Sequence, residues 1–99
     1  MHASFNTLIE QYPLPIAAQL RCWAARYSTQ TALVDDGGAL TYSELDVRVD
    51  QLAAGLDSLG LRSGQHVIVQ LPNGNAFVIL LFALLRLGAI PEIGRASCR

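Results

Sequence analysis

Residues able to do chemistry are few and scattered along this 99-residue chain. Its histidines are His2 and His66, and its cysteines are Cys22 and Cys98. A zinc site needs such residues at short, repeated spacings, and these four lie far apart. Asp35-Asp36 is a carboxylate pair of the kind acid–base catalysis uses. Gly37-Gly38 follows it, however, and acidic residues before glycines are ordinary turn chemistry. Ser43 and Ser63 have no local base that would make either one a nucleophile. Glu44, Asp46, Arg48 and Asp50 read as the solvated face of a helix. Glu44 and Arg48 stand there in the favourable i,i+4 order, worth about 0.2–0.5 kcal/mol. Pro72-Asn73-Gly74-Asn75 is too short to cradle phosphates and holds no cation. His66 heads an apolar run and reads as a surface or turn histidine. Cys22, inside an apolar helical pattern, reads as a buried reduced thiol. No residue is assigned as catalytic, cofactor-binding or metal-ligating.

The elements around these residues are clearer than any site. Pro15 suits the first turn of a helix, and Ile16, Leu20, Trp23 and Ala24 follow helical spacing, with Arg21 and Arg26 off the stripe. Thr31–Asp35 and Ala39–Thr41 flank Asp36-Gly37-Gly38 and predict a β-hairpin, with positive φ expected at both glycines. Thr41 and Glu44 fit a capping box. Behind it Leu45, Val49, Leu52, Leu56 and Leu59 form one helical face, and Gly60 ends the helix with Leu61 folding back. His66–Leu71 reads as a strand buried on both faces, as in a parallel sheet. An apolar helix over 75–87 follows, Gly88 stops it, and Ala89-Ile90 begins another strand. Strand, helix, strand opens a parallel α/β sheet, so the fold class is α/β.

Composition sets the outer limits. Hydrophobic residues make up 52% and charged residues 15%, which excludes a disordered chain. A net charge of −1 and a pI near 6.0 argue against a nucleic-acid partner. Two cysteines do not make a disulfide scaffold. Met1–Tyr12 does not read as a signal peptide, so a cytoplasmic location is the default. The apolar run Ala76–Leu85 falls short of the roughly 20 residues a membrane span needs. A helix apolar all round belongs inside something larger. The expectation is therefore the N-terminal piece of a bigger domain, with an unfinished sheet. Two other readings are a small protein whose Ala76–Leu85 helix binds a partner, and a single-pass membrane peptide.

Three blocks carry a resemblance. Leu40-Thr41-Tyr42-Ser43-Glu44-Leu45 is followed by Leu52-Ala53-Ala54-Gly55-Leu56 and Leu59-Gly60-Leu61. The second block is Gly64-Gln65-His66-Val67-Ile68-Val69-Gln70-Leu71-Pro72-Asn73. The third is Phe82-Ala83-Leu84-Leu85-Arg86-Leu87-Gly88-Ala89-Ile90-Pro91. In this order and spacing they resemble the opening of the adenylate-forming enzyme superfamily, over roughly 14–91. Leu71-Pro72-Asn73 and Arg86–Pro91, with Tyr12-Pro13-Leu14 and Thr31–Asp35 upstream, are most similar to the aryl-acid–AMP ligases of siderophore biosynthesis. An acyl-CoA synthetase is the alternative within the superfamily.

The resemblance implies an ATP- and Mg²⁺-dependent ligase as the full-length parent. That parent activates salicylate or 2,3-dihydroxybenzoate as an acyl-adenylate. It then transfers the acyl group to a phosphopantetheine thiol, on an aryl carrier protein or on CoA. The family's Ser/Thr/Gly-rich loop, its ribose-binding acid and its catalytic lysine match no position here. The resemblance thus implies that residues 1–91 build part of the large domain, bind no cofactor and are inactive alone. After Pro91 the family continues with apolar residues, whereas this chain reads Glu92-Ile93-Gly94-Arg95-Ala96-Ser97-Cys98-Arg99. Ile93–Arg99 resembles a sequencing adapter translated in frame, and Glu92 stands where an apolar strand residue is expected, so residues 92–99 are expected to be non-native.

Overall fold

The computed structural model describes residues 16–94, with side chains from residue 18 onward. His2, Pro13, Pro15 and Cys98 lie outside the described residues. Helix α1 runs Ile16–Arg26, strands β1 and β2 run Thr31–Asp35 and Gly38–Thr41, and helix α2 runs Tyr42–Ser58. Strand β3 (His66–Val69), helix α3 (Asn75–Arg86) and strand β4 (Ile90–Ile93) follow. The architecture is α/β, as the strand–helix–strand order predicts. β1 and β2 pair antiparallel, while β3 and β4 pair parallel across the α3 crossover.

Local chemistry explains most of these boundaries. The capping box at α2 is complete. Glu44 N–H donates to Thr41 Oγ1 at 3.1 Å, and Thr41 N–H donates to Glu44 Oε1 at 2.9 Å. With Glu44 engaged there, no Glu44–Arg48 ion pair forms among the described residues, contrary to expectation. Both α2 and α3 end in a Schellman turn. At α2, Leu61 N–H reaches Leu56 O at 3.1 Å and Gly60 N–H reaches Asp57 O at 3.0 Å. At α3, Ala89 N–H reaches Leu84 O and Gly88 N–H reaches Leu85 O, both at 3.0 Å. Gly60 (φ 103°) and Gly88 (φ 80°) supply the left-handed residue each turn requires. Gly88 is also crowded. Its carbonyl accepts Gly64 N–H at 2.9 Å, and a Cβ on it would stand 2.5 Å from Ser63 Oγ. In the hairpin, Gly38 has positive φ (138°) but Gly37 does not. Asp36 and Gly37 therefore form the two-residue turn, and β2 already starts at Gly38.

Two buried clusters share α3. Leu20 from α1, Leu45, Val49 and Ala53 from α2, and Ala83 from α3 form the first, flanked by Trp23, Leu33 and Ile79. Val69, Leu84 and Ala89 form the second, flanked by Phe77, Leu80 and Leu61. Neighbours in sequence, Ala83 and Leu84 point into different clusters because successive helical residues lie about 100° apart. This corrects the idea that α3 has nothing of its own to lie against. Two of its faces pack into these cores, while Val78, Leu81 and Leu85 belong to neither. What stays open is the far face of the sheet, where Ile68 is 68% exposed and Ile90 43%. Burial of β3 on both faces is thus not observed, since β3–β4 is a two-stranded sheet with α3 on one side only. Leu59, assigned to the buried face of α2, is 85% exposed. The helix ends there, and Leu61 packs inward in its place.

Candidate functional site

The charged residues of α2 are more than a solvated face. Asp46 and Asp50, four residues apart, gather two arginines from the neighbouring helices. Arg86 from α3 reaches Asp46 Oδ1 through Nη2 and Asp50 Oδ1 through Nη1, each at 2.8 Å. Arg21 from α1 grips both Asp50 oxygens through Nη2, at 2.7 and 2.8 Å. Its Nε lies 3.6 Å from Asp46 Oδ2. Arg86 and Asp46 are half-buried, at 16% and 18% side-chain exposure, while Arg21 and Asp50 are open to solvent. Charges thus alternate in a closed ring that fastens α1 and α3 to α2. Each carboxylate in it faces both arginines.

Beside this ring lies an open groove of about 860 Å³, lined by Ala18, Arg21, Cys22 and residues 85–88. Cys22 is exposed here rather than buried. Leu20, Trp23 and Ala24 carry the packed stripe of α1, and Cys22 sits off it. Asp35 does take part in a turn, since its Oδ1 accepts Gly37 N–H at 2.9 Å. Its Oδ2 accepts Asn75 N–H at 2.9 Å, a contact the sequence did not signal. Asp36 is exposed. His66 is exposed, as expected, and its Nδ1 meets Glu92 Oε2 on the neighbouring strand. Among the described residues, Ser43 and Ser63 have no histidine or carboxylate against their hydroxyls. No group of three or more His, Cys, Asp or Glu among the described residues stands together to hold a metal.

A nucleotide phosphate does not fit what is here. The one place in the β3–α3 loop that would attract it is the N-terminus of α3, where free N–H groups face outward. The Asp35 carboxylate already occupies that position and would repel a second anion. Pro72–Asn75 brings no cation of its own. No helix among the described residues is long and apolar enough to cross a membrane.

Relatives supply what the site chemistry does not. The family model for AMP-binding enzymes matches residues 20–92. Salicyl-AMP ligase / salicyl-S-ArCP synthetase of Mycobacterium tuberculosis is 49% identical over 73 residues, 69% of this chain and 13% of that protein. The 2,3-dihydroxybenzoate-AMP ligase of Bacillus subtilis is 44% identical over 80 residues, 81% of this chain and 15% of that protein. Among solved structures, apo MbtA of Mycobacterium smegmatis superposes with a TM-score of 0.82 at 40% identity, covering 87% of this chain and 16% of that one. The chain thus spans about 15% of the length of the curated relatives it matches. With its parallel β3–α3–β4 unit and this match over most of its described residues, the chain belongs to the AMP-binding, adenylate-forming enzyme family, and is most like the N-terminal part of its aryl-acid–AMP ligases.

Proposed function

We propose that this chain is the N-terminal unit of the large domain of an aryl-acid–AMP ligase. The parent enzyme uses ATP, with Mg²⁺, to turn an aromatic carboxylic acid into its acyl-adenylate. It then passes the acyl group to the phosphopantetheine thiol of an aryl carrier protein in siderophore assembly. The observation that carries this reading is the identity of 44–49% to two proteins named for salicylate and 2,3-dihydroxybenzoate adenylation. A cytoplasmic location goes with it, because the co-substrate is ATP.

Within that enzyme the segment is scaffold. Its half-buried charges among the described residues, Asp46 and Arg86, belong to a ring of ion pairs, and its α3 N-terminus is capped by a carboxylate of the chain itself. The 99-residue chain alone is therefore inactive. Residues 92–99 are foreign to the ligase in this reading, although the family match extends through Glu92. β4 does extend through Glu92 and Ile93, paired with Ile68 and Val69, but such pairing uses backbone groups that every sequence offers.

The test is to extend the open reading frame and assay the longer protein for ATP–pyrophosphate exchange. Exchange with salicylate or 2,3-dihydroxybenzoate is expected. Exchange with fatty acids alone would place the parent among acyl-CoA synthetases. A nucleotide sequence for residues 93–99 unlike any adapter would restore those residues to the natural protein. Exchange by the 99-residue chain itself would overturn the scaffold role.

A further inference from the structure

Helix α3 begins without a cap of its own. Its N-cap residue is Gly74, which has no side chain to turn back on the first N–H groups. Those groups need partners at every helix start. Here the partner comes from 40 residues away, as Asp35 Oδ2 accepts Asn75 N–H at 2.9 Å. The other oxygen of the same carboxylate accepts Gly37 N–H at 2.9 Å and so shapes the hairpin turn. Asn75 returns the contact, its Nδ2 donating to Gly38 O at 3.2 Å. Gly74 leaves just enough room, since a Cβ there would stand 3.0 Å from Asp35 Oδ2. The carboxylate's charge also suits the positive end of a helix.

We propose that Asp35 is a clasp: one carboxylate closes the hairpin turn and caps α3 at the same time, so the hairpin and the first turn of α3 open and close as one unit. The clasp also governs the 70–74 loop between β3 and α3. One end of that loop is anchored by Val69 in the second core, and the other by Asn75 on Asp35. This is the loop at the carboxyl end of β3, the end where open α/β sheets present their loops to ligands. The clasp fixes its position from outside the sheet. The inference rests on the geometry of this chain and stands whether or not the ligase reading does.

Native-state hydrogen exchange on the 99-residue chain tests it, comparing wild type with Asp35→Ala, Asp35→Asn and Gly74→Ala. One probe is the Val78 amide, which bonds Gly74 O at 3.3 Å and closes the first turn of α3. The other is the cross-strand amides of the β1–β2 ladder. In Asp35→Ala both sets are expected to lose protection together, by roughly fivefold, the worth of one N-cap. Asp35→Asn keeps one acceptor oxygen and loses less. Gly74→Ala alters no hairpin residue, yet its methyl crowds the Asp35 carboxylate at 3.0 Å and strains a positive φ, so it should loosen the hairpin as well as α3. The proposal is overturned if Asp35→Ala loosens only the hairpin, or if Gly74→Ala leaves the hairpin untouched. It is equally overturned if wild type protects neither set, because the clasp would then not close.

Discussion

The two sides of α3 are built from the same kinds of residue and finish differently. On one side α1, α2 and the hairpin enclose Leu20, Val49 and Ala83, and a ring of ion pairs seals the helices. On the other side Val69 and Leu84 are equally buried, yet the reverse face of the same strands is open at Ile68 and Ile90. In β3, neighbouring residues are therefore buried or bare according to their face of the sheet, Val69 on one and Ile68 on the other. Parallel sheets are ordinarily covered on both sides, and among the described residues this one is covered only by α3.

Substitutions on the two sides can break or sharpen this contrast. The largest effects belong to the two cores. Leu20→Ala and Leu84→Ala should each cost about 2–5 kcal/mol, read from the urea midpoint. A loss well below that for Leu84→Ala alone would mean the second core is not closed at all. Next comes the ion ring. Arg86→Ala leaves the half-buried Asp46 without its nearest cation and should cost about 2 kcal/mol. Arg21→Ala removes an exposed partner and should cost no more than about 0.5 kcal/mol, shrinking further in salt. Equal costs for the two arginines would show that the ring is solvated throughout. The smallest effect is expected on the open face, where Ile68→Thr should change stability by less than about 0.5 kcal/mol in this chain. A clear loss there would mean that the face is covered after all.

Much of the fold was legible because it is written in local chemistry. The Thr41–Glu44 capping box, the glycine stops at 60 and 88, the hairpin and the strand–helix–strand order all depend on residues close in sequence. The parallel pairing of β3 with β4 followed from the crossover alone. The failures have two causes, and the first is distance along the chain. Asp46 looked solvated because Arg86 approaches from 40 residues away, and Asp50, which is exposed, gains its Arg21 partner from 29 residues away. Asp35 looked like a turn residue, and its second task lies beyond any local window. Cys22 failed on phase, since a single step around a helix from a packed stripe carries a residue to the surface, whereas Leu59 kept the phase but lies past the end of α2. The family was legible from three ordered blocks, not from chemistry. No catalytic residue was assigned because the chain's few reactive side chains stand at no spacing that chemistry would need.

Gly88 shows how little freedom such a scaffold leaves to evolution at its joints. Its backbone angle disfavours any side chain, and independently the Ser63 hydroxyl fills the space one would need. With two separate vetoes, relaxing either alone opens nothing. A drifting lineage would have to change residues 63 and 88 together and also redirect the chain, so this site should stay glycine long after its neighbours have diverged.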